Sequence, residues 1–234
     1  MKSSIYYKTL KGIYSTINNE ICYYRRKKYI KSLKEILYRI SNDSHSTIDS
    51  ISIISTNCFS GRIAQDLKLK YNSPTVGLFF MYPDYIEFLK HLRYYLSEAT
   101  LDFIQESKYA IANERRQKGF YYPIGILDNK VEIHFLHYNS KQEAAEKWYR
   151  RAKRVNYNNL LIIGMQQNLC SNNDIEEFDK LPFKYKIMFS TYYNRRFKSN
   201  EYVQEMNGDE NVGDPYKKGH IFYKHLVSHF NNCI

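Results

Sequence analysis

The chain has 234 residues, 43% hydrophobic and 16% aromatic, and a net charge of +11 from 35 Lys/Arg against 24 Asp/Glu. That length is enough for one substantial core with an appendage, and 9 Gly and 5 Pro exclude a collagen-like or low-complexity chain. The four cysteines (Cys22, Cys58, Cys170, Cys233) form no C-x-x-C pair, which excludes the common zinc and redox patterns and suits a reducing compartment.

Residues 1–47 hold ten Lys/Arg and three acids, so most of the net charge sits there. The clearest helix spans residues 20–40, where Tyr29, Ile30, Leu33, Ile36, Leu37 and Ile40 form one stripe with the cations largely elsewhere. Residues 41–49, SNDSHSTID, read as a linker. The expected organisation is a basic helical arm, 1–47, and a single α/β domain, 48–234. No run is apolar enough to span a membrane, and the N-terminus lacks the apolar core of a secretory signal. The expected location is cytoplasmic, with the arm a candidate for resting on an anionic membrane surface or docking on the body.

The body alternates between strand and helix patterns. Residues 51–55 read as a buried strand, 61–67 as a short helix and 75–81, TVGLFFM, as a second buried strand. Pro83 opens a helix over 84–96. Residues 109–113 and 121–127 read as strands, the latter joined to 131–138 by an Asp128-Asn129 hairpin turn. Ser140 and Glu143 form a capping-box pattern for a helix over 141–155. A strand at 160–165, a helix at 171–180, a strand at 186–190 and a terminal helix at 221–230 follow. This order predicts an α/β layered fold with a largely parallel central sheet, made mixed by the hairpin and flanked by helices.

Ligands of such sheets sit beyond the carboxyl ends of the strands, which draws attention to the loop Thr56-Asn57-Cys58-Phe59-Ser60-Gly61. Cys58, near a helix start, is a candidate nucleophile or acyl contact, or else a buried thiol. Asn57 and Ser60 are candidate hydrogen-bonding groups for substrate, and Arg62 a candidate for a phosphate or carboxylate. Asp84, at a strand-to-helix junction, is a candidate base or a helix-favouring acid. His134 and His137 lie on opposite faces of a strand, so they share no metal; Glu132 and His134 could pair, and His137 near the strand end is the better general base. The basic runs at 25–28 and 150–154 read as solvated faces. Dinucleotide, P-loop, nucleophile-elbow and D-x-D signatures are all missing.

Several ordered motifs carry a resemblance. They are S-x-N-C-x-x-G-R-I at 55–63, Y-N-S-P-T-V-G-L-F at 71–79, D-Y-I-x-F-L at 84–89, Y-P-I-G-x-L at 122–127, E-I-H-F-L-H-Y at 132–138 and E-F-D-K-L-P-F at 177–183. Together they resemble a bacterial domain family of unknown function whose members are often labelled exopolysaccharide or capsular polysaccharide biosynthesis proteins. Family members often carry acids after the strand at 160–165, where this chain has Gln166 and Gln167. The Asn57-Cys58 turn is also similar in outline to that of a capsule acetyltransferase family that binds coenzyme A.

The resulting expectation is a transferase of surface-polysaccharide biosynthesis, acyl more than glycosyl. It would act on a sugar or lipid-linked glycan, with a coenzyme A thioester or a nucleotide sugar as donor. The expected catalytic residues are His137, Asp84 and Cys58, with Asn57, Ser60 and Arg62 binding substrate. A non-catalytic glycan-binding or scaffold protein is the alternative. A basic nucleic-acid binder is the third reading, for which no recognition module is found.

Overall fold

The computed structural model describes the backbone of residues 2–233 and the side chains of residues 20–232. Four parallel strands form the main sheet in the order β1 (Ser52–Ser55), β5 (Leu160–Met165), β6 (Lys186–Ser190), β7 (Asn200–Tyr202). Three antiparallel strands, β2 (Leu101–Ile104), β3 (Ile124–Leu127) and β4 (Val131–His134), form a smaller sheet. The α/β layered class expected from the sequence holds. The hairpin, expected to make the main sheet mixed, belongs instead to this second sheet, because its partners are β2 and the single bridge Phe79–His134.

The period of two along each strand divides the core into two layers. Ile53, Leu161, Ile163, Ile187 and Phe189 face a layer with α1 (Lys2–Asp43), α2 (Phe59–Asp66) and α8 (Gly219–Cys233). Ile54, Ile162 and Met188 face the opposite layer. There α3 (Tyr82–Lys90), α4 (Leu92–Ser97), α6 (Lys141–Ala152) and α7 (Asn172–Lys180) pack with the small sheet. Gly164 on β5 is needed for this packing, since a Cβ there would lie 2.5 Å from Met188 Sδ and 2.6 Å from Tyr82 Oη.

The stripe expected at residues 20–40 is the inward face of α1, with Leu33, Ile36, Leu37 and Ile40 fully buried against the body. Arg26 fixes the helix further. Its Nε donates to Asp66 Oδ2 at 2.6 Å, and Tyr223 Oη donates to the same oxygen at 2.9 Å. The run at 25–28 is therefore not wholly a solvated face: Arg26 is buried and ion-paired. The helix also continues through residues 41–43, where the sequence suggested a linker.

Other local expectations change as well. Residues 75–81 form no strand; Gly77 at φ +78° and a turn after Asn72 break the extension, leaving one bridge at Phe79. Residues 109–113 form no strand: Tyr109 is the N-cap of helix α5 (Ala110–Gln117) and 110–113 are its first turn. The helix expected over 84–96 divides at His91 into α3 and α4. The Asp128-Asn129 turn has both residues at positive φ (45° and 55°), as a tight hairpin requires.

Candidate functional site

The carboxyl ends of β1 and β5 open on a cleft of about 530 Å³. The loop after β1 contributes Asn57 and Cys58, the loop after β5 contributes Gln167 and Asn168, and the segment before α8 contributes Asp214, Pro215 and Tyr216. The small sheet and its neighbours add Phe79, Arg115, Phe120, Tyr122, Leu136 and His137. Three of the six expected site residues, Asn57, Cys58 and His137, thus meet in one cavity, although 80 positions separate the first from the last.

His137 reaches the cleft because the chain bends just after β4, where its N–H donates to Gly77 O at 3.0 Å. Its ring is exposed and takes no side-chain hydrogen bond among the described residues. Its ring centroid is 6.4 Å from that of Tyr216. Tyr216 is also engaged by Arg62, whose guanidinium lies 4.0 Å from the ring centroid. Arg62 is therefore a support for the cleft wall, further held by Gln65 at 3.0 Å.

Cys58 caps α2 without a side-chain hydrogen bond to the helix. Burial pushes its thiol up to about 11, and the negative charge of Asp214 acts in the same direction. That shift favours the thiol over the thiolate. Tyr216 is likewise raised to about 12 by burial.

Asn57 is occupied within the fold. Its Oδ1 accepts from Phe59 N at 3.0 Å, and its Nδ2 donates to Gln167 Oε1 at 2.8 Å. Gln167 Nε2 in turn donates to the Gly213 carbonyl. This chain of amides ties three loops together and sets the position of Asp214 and Tyr216. It also explains what Gln167 does where a carboxylate would fail: only the amide accepts from one loop and donates to the next.

Ser60 and Asp84 do not reach the cleft. Ser60 is 1% exposed and shares hydrogens with Thr75 Oγ1 at 3.2 Å, bracing the turn after β1. Asp84 accepts from Lys108 Nζ at 2.7 Å and from the Glu132 amide at 3.1 Å, joining α3 to the small sheet. Burial raises its pKa, with Lys108 opposing. The Glu132–His134 pair is not formed either. Glu132 accepts from Ser107 Oγ (2.5 Å) and Lys108 N (2.7 Å), leaving His134 Nε2 at 3.8 Å. His134 stacks on Phe79 at 4.6 Å and is held neutral, its pKa lowered to about 3 by burial and by Arg116 and Arg115.

Arg115, Tyr122, Asp214 and Tyr216 were not singled out from the sequence. Tyr122 is 2% exposed and its hydroxyl has no partner among the described residues. The one local signal for the last two is Gly213-Asp214-Pro215-Tyr216, where Asp214 Oδ1 accepts from Tyr216 N at 2.8 Å to make an Asx turn.

The fold and cleft define an α/β domain with a ligand cavity at the carboxyl end of a parallel sheet. The family model described as "Domain of unknown function (DUF1919)" matches residues 25–233, and the chain belongs to that family. It is 35% identical over 171 residues to a protein of Haemophilus influenzae (strain Rd) titled "Uncharacterized protein", covering 73% of this chain and 76% of that one. Neither description carries an activity. Among the described residues, no group of three or more His, Cys, Asp or Glu is placed to hold a metal.

Proposed function

We propose that the protein is a transferase of surface-polysaccharide assembly that modifies a sugar hydroxyl in this cleft, with His137 as the general base. One observation carries the reading: an exposed imidazole without a partner stands in a cavity lined by Phe79, Phe120, Tyr122 and Tyr216, with polar groups at the strand ends. Aromatic faces suit the C–H faces of sugars, and the polar groups suit their hydroxyls. The polysaccharide context rests on the resemblance described above.

In the acyl version, the His137 imidazole accepts the proton of a sugar hydroxyl as its oxygen attacks the thioester carbonyl of a coenzyme A donor. The C–O bond forms, the C–S bond breaks, and the departing sulfur takes the proton. Transfer in this version is direct from donor to sugar, the raised pKa of Cys58 favouring its neutral thiol. With a nucleotide-sugar donor the same base takes the hydroxyl proton, the acceptor oxygen bonds to the anomeric carbon, that carbon's bond to the phosphate oxygen breaks, and the nucleoside diphosphate leaves.

Incubating the purified chain with acetyl-coenzyme A or nucleotide sugars and glycan acceptors, and weighing the acceptors by mass spectrometry, tests this. The expected result for His137→Gln is a fall in turnover of about 10²- to 10⁴-fold. Undiminished turnover removes His137 from the chemistry. Glycan binding with no turnover for any donor favours the second reading, a glycan-binding scaffold, which the aromatic lining also suits.

The proposal places the protein at the cytoplasmic face of a membrane. Among the described residues no helix is long and apolar enough to cross one. The apolar stripe of α1 is spent on the core, but its outer face presents Tyr24, Lys27, Lys28, Lys31, Lys34 and Tyr38. Cations flanked by tyrosines suit an anionic headgroup layer, at about 1 kcal/mol per Lys. Flotation with phosphatidylglycerol vesicles should be lost when the four lysines become glutamines.

A further inference from the structure

His137 and Tyr216 line a second, smaller pocket of about 330 Å³ on the other side of the wall they form. Gly61, Gln65, Tyr71, Gly77, Lys147 and Arg151 complete its lining with Val76 and Tyr138. Two arginines of the described chain are more than nine-tenths buried, and they differ in one respect. Arg26, 3% exposed, has Asp66 against it. Arg151, 7% exposed, has no carboxylate within ion-pair distance among the described residues. It donates to Tyr138 Oη at 2.6 Å and to Val76 O at 3.2 Å, both neutral, and lies 5.2 Å from the centroid of Tyr71.

A buried charge without a counter-ion is costly, and folds otherwise pair such charges. Glu143, on the same helix, feels the Arg151 charge but is bonded to Lys147 Nζ at 2.5 Å, not to Arg151. Lys147 and Arg151 stand one turn apart on α6, so both cations reach the same pocket from one helix face. Glycines keep the floor low: a Cβ at Gly77 would approach Tyr138 at 3.2 Å and His137 at 3.5 Å.

We propose that this pocket is an anion subsite in which Arg151 and Lys147 bind the phosphate or diphosphate of a donor, next to the sugar in the main cleft. The inference rests in part on the transferase reading, since it supplies that reaction with a second substrate site sharing His137. The ligand chemistry common to both candidate donors is a phosphate ester: the diphosphate of a nucleotide sugar or the phosphates of coenzyme A. A guanidinium fixed by two neutral acceptors is preorganised for that oxyanion, and Tyr71 offers a ring beside it.

The test is calorimetric titration of the full chain with inorganic pyrophosphate at fixed ionic strength. Saturable binding to one site is expected, weakened about tenfold or more by Lys147→Gln and by Arg151→Gln. Glu143→Gln should tighten it by removing a competing carboxylate. Lys198→Gln, an exposed cation elsewhere, should leave it unchanged. Tighter binding of UDP than of coenzyme A assigns the phosphate to a nucleotide donor, and the reverse order to a thioester. Should Arg151→Gln fail to fold, amide shifts of the unaltered protein decide, because pyrophosphate must then perturb Gly61 and Gly77. Absence of saturable binding, equal binding by Lys147→Gln and Lys198→Gln, or shifts confined to other surfaces overturns the subsite. Since pyrophosphate binding needs no turnover, it can succeed where the His137 reaction fails, and it can fail while that reaction stands.

Discussion

The cleft and the seam between β7 and α8 hold similar side chains and use them in opposite ways. At the seam the imidazoles of His225 and His229 are matched to carboxylates. His225 sits between Glu201 Oε1 and Glu205 Oε2, each at 2.7 Å, and His229 Nδ1 lies 3.2 Å from Glu201 Oε2. Lys224 Nζ adds a contact to Glu205 at 2.8 Å. At the cleft, among the described residues, neither the His137 ring nor the Tyr122 hydroxyl has a hydrogen-bond partner. Satisfied groups hold a fold together, whereas unsatisfied ones at a cavity are available to a ligand. The difference lies in hydrogen-bond bookkeeping, not in residue type.

Substituting one histidine from each region should produce opposite signatures. His137→Gln is expected to lower transfer by about 10²- to 10⁴-fold while the melting temperature stays within a degree or so. His225→Ala should leave transfer per folded molecule intact and cost about 2–4 kcal/mol, a drop of roughly 5–15 °C. A His137 variant that melts early, or a His225 variant that keeps its melting point, would erase the contrast.

The seam also predicts a pH window. Burial works against charge on His225, but the hydrogen bonds it donates to Glu201 and Glu205 outweigh it, and the pKa is raised above 6.5. Its stabilisation is whole below 6.5 and fades as pH climbs through the folded value. Burial likewise opposes charge on the two glutamates. Lys224 and His225 bring Glu205 down to about 2, and His225 and His229 lower Glu201 below 4.5. Their contribution is whole above 4.5 and fades as pH falls through those folded values. The seam should therefore contribute most between 4.5 and 6.5, and His225→Ala should flatten that part of a melting-temperature profile. An unchanged profile would show that the imidazole is not charged in the folded chain.

Gln167→Glu probes the frame that shapes the cleft. The carboxylate can still accept from Asn57 Nδ2 but cannot donate to the Gly213 carbonyl. A loss of about 1–3 kcal/mol is expected, with faster amide exchange at residues 213–216. Protection unchanged at those amides would mean that other contacts position Asp214 and Tyr216.

Much of the scaffold was legible because it follows local patterns. The runs that became β1, β5 and β6 are short, apolar and bounded by turn formers, and Asp128-Asn129 announced its hairpin. Legibility failed where burial and backbone conformation diverge. Residues 75–81 are apolar because both sides are covered, not because they are extended; Gly77 and the turn before it decide the path. Residues 109–113 looked like a strand until Glu114, Arg115 and Arg116 continued them as helix α5. At the site, Asn57, Cys58 and His137 were found by looking beyond strand ends. Ser60 and Asp84 obeyed the same rule but face inward, a fact set by Thr75 and Lys108 on distant segments. Tyr216 and Arg151 became visible only with the tertiary structure, since one depends on the Gln167 bridge and the other on the lack of a nearby acid.

Tyr122→Phe gives the smallest stability effect and the sharpest test of the comparison. The hydroxyl is buried without an acceptor or donor among the described residues, so the folded state bears its desolvation cost without a compensating bond. Phenylalanine fills the same space and keeps the edge-to-face packing on Phe79, whose ring centroid is 5.7 Å away. Stability should be unchanged or rise by up to about 1 kcal/mol, while affinity for a sugar ligand falls by about 5- to 20-fold. Loss of stability beyond about 1 kcal/mol would reveal that water already satisfies the hydroxyl, so that no bond is left for a ligand. In that case the cleft, at this position, would be as closed in its hydrogen bonding as the β7–α8 seam.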